Sequence, residues 1–385
     1  MAHMTRATLR IGATVAAAAA TIALCAAVTI RSWPDSSPRV VQNVAIAARL
    51  AAAMPGDDQA IHAGQADELA TAPAGAIVPC LSQFGSATPA GANWLRSALD
   101  RAADRLGPEL KAAALEIVVR DVTQSARART LAFSWLMARD ARRADAVLET
   151  LVDDPSPDLR RAAVEKILVS AEGNDDASRK RLYERAIAFA HDLDQVERIA
   201  AWLGEHGTPV DVGAVLGFVR HWKVSDAFDN TGGAGFARTD PPELGGSPPD
   251  TTGWKDATSV DTLGFIDLNT AVARRRDVHA YAVAEVEIPQ AGEFEVRMRS
   301  PCAVVVWVNG TKVMSRELYH AGQAFDQYVA HAEFRAGINT VLVKCCQNDQ
   351  AENWAGEWSF ALRICDRSGS PVGTTATGEG DAQAH

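Results

Sequence analysis

No long basic run occurs in the sequence. Arg142-Arg143 and Arg274-Arg275-Arg276 are short, and the net charge is −10 with a pI near 5.4. That balance argues against a nucleic-acid backbone or an anionic membrane surface as the principal partner. The two basic runs are expected to be solvated faces. Cysteines are few, six in 385 residues. No Cys-x-x-Cys or Cys/His spacing points to zinc, and Cys80, Cys302, Cys345, Cys346 and Cys365 cannot all pair. Also missing are a Gly-x-Ser-x-Gly elbow, a His-Glu-x-x-His pair and a phosphate-cradling glycine loop leading into a helix. "NTGGAGFARTD" is glycine-rich but follows no buried strand and ends on prolines. Without a positioned nucleophile or recognisable paired carboxylates, the chain reads as non-catalytic and without a cofactor.

What is present is a core-forming composition: 47% hydrophobic and 22% charged residues, over a length that suits two domains. The N-terminus, residues 1–35, reads as a targeting segment. Arg6 and Arg10 precede the uncharged run "IGATVAAAAATIALCAAVTI", followed by Arg31 and "SWPDSSP". Residues 11–30 are either the apolar part of a cleaved signal peptide or a retained single-span membrane anchor. In both cases the basic end stays inside and the bulk is exported, to the periplasm or cell surface.

Residues 36–88 form an Ala/Gly/Pro-rich segment, helical at "VVQNVAIAARLAAAM" and partly disordered beyond it. From 89 to 219 apolar residues recur at helical spacing between Gly, Pro and Asp breaks, as in Leu95, Leu99, Ala102 and Leu106. "DDPSPDLRRAAVEKILVSA" is the sharpest unit. Ser156 suits the N-cap, Pro157 the first helical position, and Leu159, Ala163, Val164, Ile167 and Leu168 make one stripe. With its Asp-Pro turn and Leu-Arg-x-x-Ala-Val helix, Asp153 to Leu168 resembles the second half of a HEAT repeat. That resemblance implies a stack of paired helices, with an irregular bundle as the alternative.

After Trp222 the period changes to two. Asp226 to Gly253 is a Gly/Pro-punctuated loop, and alternating segments follow. Ala282, Ala284, Val286 and Ile288 point one way; so do Phe294, Val296 and Met298, then Val341, Val343 and Cys345, then Phe360, Leu362 and Ile364. "VVVWVNGTKV" predicts a hairpin turning at Asn309-Gly310, because both central positions need positive φ. Such strands predict a two-sheet antiparallel sandwich over 220–372, with a disordered tail at 373–385. Val304 to Gly310, then Phe325 to Tyr328, then Ala336 to Lys344, resemble galactose-binding-like and PA14-like jelly-roll modules. The fold class expected is therefore multidomain α + β: an export segment, a helical region and a β-sandwich.

Strand direction locates a site. If the chain turns at one pole at Asn309-Gly310, the connections "SRELYHAGQAFD" and "QNDQAENWAGE" both emerge at the opposite pole. Tyr319, His320, Asp326, Asn348, Asp349, Glu352 and Trp354 are the candidate carbohydrate-binding residues there. Asp326, Asn348 and Asp349 offer oxygen ligands to calcium, but no compact loop spacing supports it. A loop or the helical half is expected to cover Trp307, so that interdomain packing is preferred over a ligand platform. Cys302 and Cys345 share inward parity at that pole and are the best-placed pair for a disulfide. The expected function is exported, non-catalytic binding of a carbohydrate or envelope polymer, with the helices offering a protein-interaction surface. The alternatives are an envelope protein–protein scaffold and an accessory module of an envelope enzyme system.

Overall fold

The computed structural model describes residues 37–244, 248–352 and 355–375. The export segment lies outside that set. Among the described residues no helix is long and apolar enough to cross a membrane. A helical region is followed by antiparallel sheets, and the chain divides into two compact units, Met1–Lys166 and Ile167–His385.

The first unit contains α1 (Pro38–Ala51), α2 (Gln59–Leu69), α3 (Ala74–Leu81), α4 (Pro89–Leu106), α5 (Ala112–Arg120), α6 (Ala126–Arg139), α7 (Ala141–Leu148) and the start of α8 (Pro157–Glu172). Proline opens α1, α4 and α8, where its fixed φ suits the first turn and no N–H is needed. Thr88 and Ser125 cap α4 and α6 through side-chain oxygens that accept from the N–H of Gly91 and Ala128. Leu50, Leu81, Leu99, Leu115, Leu136 and Leu159 are buried in one apolar cluster. Residues 37–88, expected to be partly disordered, thus share the core of the helices that follow. Their small side chains explain it: a Cβ on Gly91 would stand 2.1 Å from the Ala51 carbonyl oxygen, so α1 and α4 meet backbone to backbone.

A buried ion pair ties α6 to the turn before α8. Arg129, 1% exposed, donates Nη1 and Nη2 to the two oxygens of Asp154 at 2.8 and 2.5 Å. Its Nε donates to the Val119 carbonyl at 2.8 Å, and Asp154 also accepts from the Ser156 N–H.

The second unit begins within α8 and continues through α9 (Asp176–Ile187), α10 (Leu193–Glu205) and α11 (Val212–Leu216). The sequence had placed the division near 219, where the period changes. The helices from Ile167 group with the sheets instead, and the end of the stretch is tied to them. Arg363 donates Nη1 to the Leu216 carbonyl at 3.1 Å, and the Val219 N–H donates to Leu362 O at 2.9 Å. Gly217, at φ 76, lies so close to Pro371 that an added Cβ would be 2.5 Å from the ring.

The strands are β1 (His221–Val224), β2 (Phe228–Asp229), β3 (Lys255–Thr258), β4 (Ile266–Asp267), β5 (Val278–Ile288), β6 (Gly292–Arg299), β7 (Ala303–Val308), β8 (Thr311–Arg316), β9 (Tyr328–Phe334), β10 (Gly337–Cys346), β11 (Ser359–Cys365) and β12 (Thr374–Thr375). The larger sheet runs β3-β1-β5-β10-β7-β8, with β2 and β12 also on β5; the smaller runs β4-β11-β6-β9. Residues 374–375, expected in a disordered tail, pair with Glu287 and Val286. Val304, Val306, Val341, Val343 and Cys345 meet Val296, Met298, Phe360, Leu362 and Ile364 in the core between the sheets. The period-two reading chose these residues. Asn309 and Gly310 adopt φ 49 and 82, as the predicted two-residue turn requires.

Trp307 corrects an expectation. It is buried on the outer face of the larger sheet with Tyr281, Val283, Val305 and Leu342, under Phe228, Phe236 and Trp254. The cover is the sandwich's own segment from β2 to β3. That segment, expected to be loop, carries short helical turns at Ala234–Ala237 and Pro241–Leu244.

Candidate binding rim

Three connections leave the sandwich at the pole opposite Asn309-Gly310: residues 300–302 between β6 and β7, 317–327 between β8 and β9, and 347–358 between β10 and β11. The register requires this, since Cys346 pairs with Ala303 while Val341 pairs with Val308 beside the turn. Hydrogen bonds join the connections. His320 Nε2 lies 2.9 Å from Asn348 Oδ1, and the Ala321 N–H donates to Pro301 O at 3.1 Å. Gln323 Nε2 donates to the Glu357 carboxylate. His320 holds φ 54, the left-handed backbone that aims its ring at Asn348.

Gln347 braces the 347–358 connection from beneath. Buried at 2% exposure, it donates Nε2 to Ala355 O at 3.0 Å and to Glu357 O at 3.3 Å. The loop edge is tied to the segment before β5: Arg276 Nη2 donates to Ala351 O at 3.0 Å, and Asn269 Nδ2 to Gly356 O at 2.9 Å. Between these parts lies a cavity of about 480 Å³. Its walls carry guanidinium groups from Arg274, Arg275 and Arg276, and carboxylates from Asp267, Glu352 and Glu357. Phe265 and the edge of buried Trp358 supply apolar surface. Asn269 Oδ1 is buried and finds no partner among the described residues.

The sequence-derived candidates divide. His320 and Asn348 meet, Glu352 lines the cavity, and Asp349 stands exposed on the same connection. Trp354 lies outside the described residues. Tyr319 is partly buried and its hydroxyl turns inward, accepting from Asn230 Nδ2 at 3.2 Å. Burial pushes that phenol up to about 12.

Asp326 leaves the rim altogether. The end of its connection folds back over the outer face of the smaller sheet, where Asp326 accepts from Arg363 Nε and Nη2 at 2.8 and 2.6 Å and from Arg297 Nη1 at 2.7 Å. Burial raises its carboxyl, but the two guanidinium groups overcome that and hold it below the ordinary aspartate range. Asp326 therefore has no oxygen to spare for calcium beside Asn348. Among the described residues no group of three or more His, Cys, Asp or Glu side chains is arranged to hold a metal.

Arg274 to Arg276, Asn269, Gln323 and Glu357 were missed. The arginine run was read as a solvated face, which its exposure matches, but no local pattern announces that it borders a cavity closed by residues some eighty positions later.

Cys302 and Cys345 are free thiols, both buried, with Cys302 donating Sγ to Glu357 O at 3.3 Å. They neighbour each other as the parity argument required, and burial pushes the Cys345 thiol well up, with Cys302 beside it adding to the rise. Cys80 and Cys346 are each pushed up to about 12 and Cys365 to about 11, in every case by burial first. Native protein is expected to resist iodoacetamide at these five positions at neutral pH, because all five thiols are buried and out of its reach. Peptide mapping with and without denaturant checks this; rapid native labelling would refute the packing.

No family model matches the chain, and no curated relative matches it. Among solved structures it is similar to an anti-sigma factor domain-containing protein from Clostridium clariflavum, at 10% identity over 44% of this chain and 50% of that one, with a TM-score of 0.26. It is also similar to an alpha-xylosidase from Xanthomonas citri, at 16% identity over 27% of this chain and 12% of that one, with a TM-score of 0.16. The chain thus spans half the length of the first and a small part of the second, and likenesses this slight leave the site to be judged on its own chemistry.

Proposed function

We propose that this is an exported, non-catalytic binding protein that takes a carbohydrate or other polyhydroxylated envelope polymer in the rim cavity. The finer fold reading belongs with this proposal: a galactose-binding-like jelly roll as the binding module, and HEAT-like helices around the Asp153–Leu168 turn as a protein-interaction surface. The observation that carries it is the composition of the cavity wall. Sugar hydroxyls donate and accept together, so they suit a wall where guanidinium, carboxylate and carboxamide groups alternate beside an aromatic edge. A cavity of about 480 Å³ fits a sugar unit or two of a polymer.

The test is a glycan-array screen of the full chain followed by titration of the best ligand against Arg275→Ala and Glu352→Ala. Each removes one charged hydrogen-bonding group and is expected to weaken binding about tenfold. Binding that stays at background, or that ignores both substitutions, would overturn the reading. The inward-turned hydroxyl of Tyr319 specifically favours the scaffold alternative, since it anchors its own connection to Asn230. On that reading the array stays blank.

A further inference from the structure

The outer face of the larger sheet carries an ionisable cluster that the rim does not use. His279, wholly buried at the start of β5, stacks on Phe228 with ring centroids 5.4 Å apart. Its Nε2 lies 2.7 Å from Asp240 Oδ2. The Tyr281 hydroxyl donates to Glu243 Oε1 at 2.5 Å and lies 3.3 Å from Asp240 Oδ2. Lys344, 1% exposed on β10, donates to Glu243 Oε1 at 3.0 Å and to the Arg238 carbonyl at 2.6 Å. Arg238 Nε donates to Asp240 Oδ1 at 3.0 Å, and Cys346 is the strand partner of His279. Asp229, on β2, is held by Thr231 and Arg238.

With Nε2–H given to Asp240, Nδ1 of a neutral His279 is an acceptor. It is buried and has no partner among the described residues, and the same holds for Asn230 Oδ1. The two atoms face one spot: a Cβ built on Gly235 would be 2.6 Å from His279 Nδ1 and 2.7 Å from Asn230 Oδ1. Both acceptors border that one space without bonding to each other, and a proton on Nδ1 supplies a donor that a small turn of the ring or the amide brings to Oδ1. Asn230 is itself the bridge to the rim. Its Nδ2 donates to the Tyr319 hydroxyl at 3.2 Å and to Gln347 O at 2.9 Å.

We propose that His279 and Asn230 form a proton-operated latch between the outer face of the sheet and the rim. A proton on His279 Nδ1 bonds to Asn230 Oδ1 and so holds the Asn230 amide on Tyr319 and Gln347. The amide is the two-state element. With Nδ1 bare, a turned amide donates to Nδ1 instead and presents its oxygen to the Gln347 carbonyl, which loses its donor. Burial and then the Lys344 charge hold the imidazole below its ordinary range against the pull of Asp240, so the latch engages in acid, below about pH 6.5.

The experiment is a pH titration of the full chain with ¹⁵N-labelled histidine, reading the His279 ring nitrogens alongside the Tyr319 ring signals. Nδ1 is expected to gain its proton while the chain is still folded, and Tyr319 to shift with the same midpoint. Asn230→Ala should lower the His279 midpoint and release Tyr319 from it. Asn230→Asp, which puts a carboxylate beside Nδ1, should raise the midpoint by about one pH unit or more. The latch is refuted if Nδ1 stays bare until unfolding, if neither substitution moves the midpoint, or if Tyr319 still follows His279 in the alanine variant.

Discussion

Replacing Asp326 with alanine is expected to destabilise the sandwich by about 3–5 kcal/mol, the cost of leaving buried cationic partners unpaired. Arg363 is 1% exposed and sends both Nε and Nη2 to this carboxylate, while Arg297 adds Nη1. Arg297 keeps Glu295, which accepts from its Nε and Nη2 at 2.9 and 2.6 Å. Among the described residues Arg363 keeps the Leu216 carbonyl and the face of Phe325, whose ring centre is 4.5 Å from the guanidinium carbon. Urea denaturation measures the loss, and hydrogen exchange should place it in β6 and β11.

The same carboxylate carries a pH signature. Its folded-state value is depressed, so its stabilisation is complete above the unfolded aspartate value of about 3.9 and is lost as pH falls through the folded value. The parent chain should therefore lose part of its stability on acidification below about pH 4, and the alanine variant should lack that part. If Asp326 were instead a rim ligand, its removal would weaken binding and leave stability within about 0.5 kcal/mol of the parent.

The second large effect lies in the first unit. Asp154→Ala is expected to cost about 3–5 kcal/mol by stranding Arg129. Arg129 retains the Val119 carbonyl on Nε, but both terminal nitrogens lose their acceptors in a place without water. The Ser156 N–H, at the entry to α8, loses its acceptor as well. The double variant Asp154→Ala with Arg129→Met tests the mechanism. Removing the stranded charge with a flexible apolar side chain should recover a large part of the loss. A double variant no more stable than the single one would mean that the turn, and not the ion pair, is what fails.

The two predictions differ in how visible their residues were. Asp154 sits in the Asp-Pro turn whose helix the sequence named, although nothing local showed that its partner would be Arg129, 25 positions earlier. Asp326 reads as a rim residue because it ends the stretch from Ser315 to Asp326, and strand parity gives the pole at which a connection emerges but not where its last residues lie down. The fold-back over Arg363 depends on two strands of the other sheet. The arginine run 274–276 and Glu357 border one cavity because β4 and β11 pair, through Ser359 with Asp267 and Phe360 with Ile266. The stretch from Ile167 to Leu216 is a similar case: its helical period is plain, but its attachment to the sheets rests on Arg363 reaching Leu216.

By itself, the sequence determined the order of helices and strands, which side chains of each strand face inward, the tight turn at Asn309-Gly310 and the pole where the long connections emerge. All of these are local, set by a period of 3.6 or 2, by positive φ at two adjacent positions and by alternating chain direction. Only the tertiary structure decided that residues 37–88 join the helical core, that Trp307 lies under its own domain's segment, that Asp326 is spent on two arginines, and that His279 and Asn230 border one space beside Gly235. Those outcomes depend on which distant groups meet in places where water is excluded, and there an unpaired charge or polar atom costs more than any local preference supplies.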